Sequence, residues 1–262
     1  MSVGESFVLI ETEGAVATLT LNRPAQFNVL SSAMLSALQG ALNQMRDNRA
    51  IRVVVLAGAG RAFCAGHDLR EMRAQPDKKW LSELFAQCAN VMLTINDMPQ
   101  PVIARVQGVA TAAGCQLVAA CDLAIASDTA KFATSGVNLG LFCSTPAGAI
   151  TRSLAPKHAA ELLFGGDFIT AIQAERWGLV NRCVDETTLV QATRDWAQAI
   201  AAKSGAAIMS GKALLKNQRN LSLADAYAAG GENMANDMLT RDAQSGIDAF
   251  LSKQPTPEWR HQ

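Results

Sequence analysis

The pattern of apolar and polar positions along the first part of the chain predicts three strands and a helix. Apolar and β-branched runs at residues 7–11, 15–21 and 51–57 are typical of strands, and Glu13-Gly14 indicates a hairpin turn between the first two. The core of the third run is continuously apolar, which favours a sheet covered on both faces. A helix follows a cap at Ser31 or Ser32. Its apolar residues recur at helical spacing and are Leu35, Leu38, Leu42 and Met45.

The middle of the chain alternates helices with strands. A helix is predicted at about residues 79–97, and Pro99-Gln100-Pro101 ends it. A strand at 101–106, a helix at 112–120 made of small and apolar residues, and a strand at 123–127 follow. Residues from 155 onward are mostly helical. This order predicts an α/β fold with parallel strands and no separate domain linker.

Two stretches of small residues, 61–69 and 107–122, each run from a predicted strand into a predicted helix. In the second, Ala113 is small and Gly114 lacks a side chain, so another backbone or a ligand can approach the first helical turn. The first N–H groups of a helix have no intrahelical partners, and the helix dipole adds positive charge there. Two such turns can direct one N–H group each at a single oxygen, as a thioester enolate requires. A Gly/Ala turn packed into the core is the alternative.

Composition narrows the class of protein. Hydrophobic residues make up 49% of the 262 positions, which is ample for a core. Lys+Arg and Asp+Glu both total 23, so no net charge attracts nucleic acid or an anionic membrane. No apolar stretch approaches the ~18 residues of a membrane span. The six cysteines lack metal-like spacing, and residues 1–5 lack the features of a signal peptide, so we expect a reduced, cytoplasmic protein without a metal.

Several ordered motifs carry a family resemblance. The two small-residue stretches read Ala62-Phe63-Cys64-Ala65-Gly66-His67-Asp68-Leu69 and Gln107-Gly108-Val109-Ala110-Thr111-Ala112-Ala113-Gly114. Leu21-Asn22-Arg23-Pro24, the segment 132–140 and the segment 174–180 accompany them in order. Together they resemble the crotonase (enoyl-CoA hydratase/isomerase) superfamily over nearly the whole chain.

The resemblance implies a fold and an assembly. The expected fold is an α/β crotonase-like spiral of repeated ββα units with a C-terminal helical region. Residues 1–262 would form one domain, with the spiral core at about 1–200 and a helical trimerisation region at about 201–262. The expected assembly is a homotrimer or a dimer of trimers. The expected ligand is an acyl-CoA thioester, so coenzyme A belongs to the substrate and no cofactor is required.

The resemblance also assigns site residues by position. Ala65 and Ala113 would supply the N–H groups of an oxyanion hole. The residues expected to bind acyl-CoA are Arg23, Ala25, Ala65, Gly66, His67, Asp68, Leu69, Ala113, Gly114 and Lys253. Three of them have plainer alternatives. Asp68 with Glu71 resembles a capping box, His67 suits a partly buried histidine, and Lys253 suits a solvated terminal lysine.

The two catalytic carboxylates of the hydratases are replaced. Gln116 stands where one glutamate is expected, and Gly136 stands where the other is expected. A glutamine amide can orient water but cannot take its proton at neutral pH, and one positioned acid or base contributes about 10²–10⁴ in rate. The resemblance therefore implies a hydratase scaffold with weak hydratase activity. An acyl-CoA decarboxylase or thioesterase using His67, Asn138 and Ser144, or a non-catalytic CoA-thioester binder, stays open as an alternative.

Overall fold

The computed structural model describes residues 6–261, and Met1–Glu5, in which no signal peptide was predicted, lies outside them. Ten strands form two sheets within the described residues. The strands are β1 (Val8–Glu13), β2 (Val16–Leu21), β3 (Val53–Gly58), β4 (Ala62–Cys64), β5 (Val102–Val106), β6 (Val109–Thr111), β7 (Leu123–Ser127), β8 (Lys131–Ala133), β9 (Ile169–Thr170) and β10 (Arg182–Val184). The predicted α/β class is confirmed.

Eleven α-helices accompany the strands in the described part of the chain. They are α1 (Ser32–Asp47), α2 (Leu69–Ala74), α3 (Lys78–Asp97), α4 (Ala113–Ala120), α5 (Ser144–Ser153), α6 (Pro156–Gly165), α7 (Ala171–Trp177), α8 (Leu189–Ala201), α9 (Gly205–Gln218), α10 (Leu223–Met238) and α11 (Arg241–Leu251). A short 3₁₀ segment, Ser135–Leu139, precedes α5.

The larger sheet has the strand order β1-β2-β3-β5-β7-β10, and only β1 and β2 pair antiparallel. The hairpin predicted between β1 and β2 is confirmed, with Glu13 opposite Val16. Five of the six residues of β3 are buried. The expectation of a strand covered on both faces is therefore confirmed.

The smaller sheet has the order β4-β6-β8-β9 and was not predicted from the sequence. Its strands are two or three residues long. Strands this short hold too few residues for an alternating pattern to be detected. The carboxyl ends of β4 and β6 deliver the chain into the two small-residue turns, so this sheet positions the candidate site.

Helix caps account for where α1 and α2 begin. Ser31 caps α1 by accepting a hydrogen bond from the Met34 N–H. Asp68 caps α2 by accepting from the Arg70 and Glu71 N–H groups, as predicted. The predicted capping box is wrong in its second half, because the Glu71 carboxylate accepts from the N–H and hydroxyl groups of Ser32. Glu71 thus ties α2 to the start of α1.

The C-terminal helices are anchored to the core by a partly buried lysine. The Lys212 ammonium of α9 donates to the carbonyl oxygens of Ile95 and Gln100 and to the Asp122 carboxylate, at 2.7–2.9 Å. Asp122 also accepts from the Val102 N–H at the start of β5. Asp122 therefore has a structural role, because it links α9 to the start of β5. Residues 6–261 contain no helix both long and apolar enough to cross a bilayer.

Candidate active site

The two small-residue turns pack against each other through their backbones. A Cβ atom at Gly114 would lie 2.0 Å from the carbonyl oxygen of Cys64. Gly66 has φ +89°, and a Cβ there would lie 2.9 Å from Ala112 Cβ and 3.3 Å from the Ala113 nitrogen. Both positions therefore require glycine. This close approach brings the start of α4 beside the turn that follows β4.

Ala112 holds the start of α4 in a rare backbone conformation. It is the N-cap residue of α4, with φ 50° and ψ −119°, a region that glycine adopts far more readily. Its N–H donates to the Ala133 carbonyl oxygen at 3.0 Å. Strain in a non-glycine residue persists where surrounding contacts enforce it, and it concentrates at functional sites. Here it orients the peptide that carries the Ala113 N–H.

The N–H group of Ala65 is already hydrogen-bonded. It donates to the carbonyl oxygen of Phe27 at 3.0 Å, which argues against Ala65 as an oxyanion donor. The N–H groups of His67 and Ala113, by contrast, have no acceptor within residues 6–261. His67 follows Gly66, where an added Cβ atom would lie 3.3 Å from the Ala113 nitrogen. The sequence alone does not reveal that the Ala65 N–H is already bonded, because the Phe27–Ala65 contact joins residues far apart in the chain.

Asn28 holds the loop that carries Phe27. Its side-chain amide is fully buried and donates to the carbonyl oxygens of Ala59, Ala62 and Phe63, and its Oδ1 accepts from the Arg23 N–H. Phe27 and Asn28 both have positive φ values, 52° and 54°. This network fixes the loop against the turn after β4.

The His67 side chain is neutral and largely enclosed. Its Nδ1 lies 3.3 Å from the Leu30 carbonyl oxygen, and its ring meets the Phe85 ring edge-on at 5.4 Å between centroids. Burial lowers the pKa of the imidazole, although the Leu30 carbonyl and the Glu71 carboxylate act in the opposite direction. Nε2 is buried without a partner among the described residues. The imidazole therefore has an acceptor nitrogen that the protein does not satisfy.

The two replaced carboxylate positions differ in how much room they offer. Gln116 is 4% exposed, and its Oε1 has no hydrogen-bond partner within residues 6–261. It lies one helical turn after Ala113, on the same face of α4. Gly136 lies in the 3₁₀ segment, where a Cβ would approach the Leu141 carbonyl oxygen to 2.3 Å. Position 136 is thus closed to any side chain in this backbone arrangement.

The 3₁₀ segment is nevertheless attached to the site. The Ser135 hydroxyl lies 2.9 Å from the Thr111 hydroxyl, directly before the strained Ala112. Asn138 and Ser144, which the decarboxylase or thioesterase alternative would use, make local bonds. The Asn138 amide donates to the Gly166 carbonyl oxygen, and the Ser144 hydroxyl donates to that of Phe142. Neither contacts His67 among the hydrogen bonds of the described residues.

The remaining residues predicted to bind acyl-CoA differ in their contacts and in their exposure to solvent. Arg23 stacks its guanidinium 3.7 Å from the Phe7 ring centroid, and Ala25 is exposed on the same loop. Leu69, at the start of α2, is 52% exposed. Lys253 is exposed after α11, and its contact with bound CoA stays a prediction. Within residues 6–261 no group of three or more metal-ligating side chains converges.

Comparison with known proteins supports the motifs. A family model described as enoyl-CoA hydratase/isomerase matches residues 11–262. The Xenopus laevis protein named enoyl-CoA hydratase domain-containing protein 3, mitochondrial, is 40% identical, over 97% of this chain and 86% of that protein. A crystal structure of enoyl-CoA hydratase from Mycobacterium smegmatis matches with a TM-score of 0.95 and 49% identity, over 97% of this chain and 99% of that one. The crystal structure of human enoyl coenzyme A hydratase domain-containing protein 3 matches with a TM-score of 0.93 and 39% identity, over 96% and 99%. The predicted crotonase-like fold is confirmed.

The relatives contradict one prediction. The Xenopus laevis protein and its Homo sapiens counterpart, 40% and 41% identical to this chain, are both named as mitochondrial. The cytoplasmic location predicted from the sequence is therefore wrong. That prediction depended on the cysteines and on the lack of signal-peptide features in residues 1–5, and neither property distinguishes the cytoplasm from the interior of a mitochondrion.

Proposed function

From the premise that this chain belongs to the enoyl-CoA hydratase/isomerase family, we propose that it binds acyl-CoA thioesters and stabilises their enolates. The thioester oxygen lies between the N–H groups of His67 and Ala113. The observation that carries this proposal is the pair of adjacent, acceptor-free N–H groups at the meeting of the two turns. Ala113 also begins a helix, whose dipole adds to the stabilisation of negative charge.

The reassignment from Ala65 to His67 changes which N–H group stabilises the enolate oxygen. A donor already paired with the Phe27 carbonyl would have to exchange one hydrogen bond for another, and little would be gained. A preorganised, unpaired donor stabilises developing charge without such a cost. In the proposal Ala65 and Gly66 remain wall residues of the acyl-CoA channel, as predicted.

The side chains near these donors are poorly suited to catalyse hydration. Adding water to an enoyl thioester needs a base for the water and an acid for the α-carbon. Gln116 can hold a water with its amide but cannot accept its proton. Gly136 offers no side chain. We therefore propose that enoyl-CoA hydration is slow.

A second candidate function is decarboxylation of an acyl-CoA that carries a carboxylate on its α-carbon. The observation that favours it is the uncharged, buried Gln116 amide, where a carboxylate would repel the substrate's own carboxylate. Loss of CO₂ leaves its bonding electrons on the thioester as an enolate, so no general base is needed. The oxyanion donors then carry most of the catalysis.

We also propose a homotrimer or a dimer of trimers. Large apolar side chains are exposed along α10 and α11, and exposed apolar patches mark surfaces that are covered in an assembly. These side chains are Leu223, Tyr227, Met234, Met238, Phe250 and Leu251. Light scattering at micromolar concentration is expected to give at least three times the monomer mass, and a monomer mass would contradict the proposal.

Calorimetry and product analysis test the function together. A non-hydrolysable acyl-CoA analogue is expected to bind, and the same acyl group on a short thiol without CoA is expected to bind weakly. Crotonyl-CoA and malonyl-CoA are then supplied at saturating concentration. Loss of CO₂ from malonyl-CoA at a higher rate than hydration of crotonyl-CoA would support the second candidate. Binding without any turnover would leave a CoA-thioester binder, and failure to bind would refute the proposal.

A further inference from the structure

The space beside Gly136 is occupied by a cysteine thiol. A Cβ atom built at Gly136 would lie 2.9 Å from Cys143 Sγ. Cys143 is 7% exposed and forms the N-cap of the ten-residue helix α5. The place where a glutamate side chain would start at position 136 is thus bordered by a different ionisable group.

This thiol adjoins the first turn of α4. Burial is the main cause of the raised pKa of the Cys115 thiol, and the nearby Cys143 thiol adds to it. The Ser135–Thr111 hydroxyl contact ties the segment that carries Gly136 to the residue before Ala112. The segment that carries Gly136 therefore lies beside the start of α4.

Gln116 provides a second, independent observation. It is nine-tenths buried, its Oε1 has no partner within residues 6–261, and its spacing from Ala113 places it on the helix face that carries the proposed donor. A buried, unpaired acceptor is destabilising unless a ligand or water satisfies it. The site thus has an unfilled polar position in addition to the thiol.

We propose that the Cys143 thiol is the group that protonates the α-carbon of the bound thioester enolate. This inference rests on the proposed function and deepens it. Protonation of the α-carbon is the one step that hydration and decarboxylation share. The thiol takes the acid role for which position 136 has no side chain.

The step balances without a further reactant. The electron pair of the enolate C=C bond takes the thiol proton, a C–H bond forms at the α-carbon, and the S–H bond leaves its electrons on sulfur. Water then returns a proton to the thiolate. Burial raises the pKa of Cys143 above its ordinary value, against the opposing effect of the Gly136 N–H, so the resting group is the protonated thiol that the step needs. An enolate is basic enough to take this proton.

An affinity label tests the position of the sulfur in the native protein. A 2-bromoacyl-CoA places its electrophilic carbon where the α-carbon would lie. Attack by sulfur forms an S–C bond, releases bromide and leaves an adduct that peptide mass spectrometry locates. The adduct is expected on Cys143 and not on Cys183, which lies on β10 and is only partly buried. Excess non-hydrolysable acyl-CoA is expected to suppress it.

Variants test the proton transfer itself. Cys143→Ala is expected to lower kcat about 10²-fold or more, with KM nearly unchanged, for whichever of crotonyl-CoA hydration and malonyl-CoA decarboxylation the native protein catalyses faster. Cys183→Ala is expected to leave kcat and KM of that reaction unchanged. In D₂O the native protein is expected to place deuterium on one face of the α-carbon, whereas Cys143→Ala gives both faces. A merely structural role would not change this stereochemistry.

The outcomes separate this inference from the proposed function. Failure of the native protein to bind the acyl-CoA analogue would refute both. Acyl-CoA binding with no adduct on Cys143 would overturn the cysteine assignment alone. Unchanged kcat and unchanged stereochemistry in Cys143→Ala would also overturn it and leave the oxyanion site standing.

Discussion

The N–H group of Ala65 donates a hydrogen bond to the carbonyl oxygen of Phe27, with 3.0 Å between nitrogen and oxygen. This contact occupies the Ala65 N–H group, which the sequence motif alone assigns to the thioester oxygen of the substrate. It also places the loop around Phe27 against the turn after β4, so the first turn has one committed N–H and one acceptor-free N–H, two residues apart. The geometry of the candidate oxyanion site therefore depends on a loop that lies about 40 residues earlier in the chain than the turn itself.

Asn28 holds that loop in place because its side-chain amide donates hydrogen bonds to carbonyl oxygens in and just before β4. Asn28→Asp replaces three donated hydrogen bonds with a carboxylate facing three carbonyl oxygens. We expect the free energy of unfolding to fall by about 2–4 kcal/mol, since buried polar groups without partners cost this much. Urea denaturation measures it. Asn48→Asp is the control, because Asn48 is exposed and keeps its oxygen acceptor for the Ala50 N–H. An equal loss in both variants would show that Asn28 does not hold the loop.

The strain at Ala112 predicts a stabilising substitution. Ala112→Gly removes a conformation that costs about 1–3 kcal/mol in a non-glycine residue, against about 0.5–1 kcal/mol of added unfolded-state entropy. We expect the free energy of unfolding to rise by about 1 kcal/mol, measured by urea denaturation. Ala120→Gly, at the other end of α4, is expected to lower it by about the same amount. A loss in both variants would mean that Ala112 is not strained.

Gln116 and Gly136 are unequal targets for restoring hydration. Gln116→Glu is expected to raise crotonyl-CoA hydration about 10²-fold, the lower end of one acid–base contribution. Gln116→Met is the control, and it should not raise the rate. Gly136→Glu is not expected to raise the hydration rate, because its Cβ atom would lie 2.3 Å from the Leu141 carbonyl oxygen. Gly136→Ala should already lower the free energy of unfolding by about 1–3 kcal/mol. A folded, faster Gly136→Glu protein would contradict this interpretation.

Asp242 predicts a pH dependence of stability. Burial alone would raise the pKa of this carboxyl, but hydrogen bonds from the Ser204 hydroxyl and the Arg260 and His261 N–H groups hold it below 3.8. A lowered folded-state pKa stabilises the protein above the unfolded value, and this contribution is lost as the pH falls through the folded value. Asp242→Asn should therefore lower Tm at pH 7 and converge with the native Tm well below pH 4.

The control for this titration lies on the same helix. Asp248→Asn changes an exposed carboxyl of α11 and should leave the pH profile of Tm unchanged. A constant difference in Tm between Asp242→Asn and the native chain from pH 7 down to pH 3 would show that the Asp242 carboxylate does not stabilise the C-terminal segment.

The sequence predicts elements better than it predicts contacts. Helix α1 follows from sequence spacing alone, because Leu35, Leu38 and Leu42 recur at helical spacing and so share one buried face. Gly114 was expected to admit a close backbone, and Cys64 supplies it. These predictions need only local geometry.

What escaped prediction depends on residues far apart in the chain. Glu71 bonds Ser32 rather than its own helix start because folding brings α2 beside α1. The Phe27–Ala65 bond requires two successive residues at positive φ, which no apolar pattern indicates. The Asn at position 28 was the available hint, since asparagine tolerates that conformation better than most residues.

In the proposed site, the N–H groups of His67 and Ala113 donate to the same thioester oxygen. Ala113→Pro removes one donor, and proline is tolerated at the first position of a helix. Ala113→Ser keeps the N–H and serves as the control. Loss of one such donor costs about 10²–10³ in kcat.

Infrared difference spectroscopy of a bound acyl-CoA analogue carrying a ¹³C-labelled carbonyl tests this claim most directly. Two hydrogen bonds weaken the C=O bond, so the stretching band should move to lower frequency when the analogue binds the native protein. We expect a smaller shift with Ala113→Pro and the native shift with Ala113→Ser. An equal shift in all three proteins, or no shift in the native protein with the analogue bound, would contradict it.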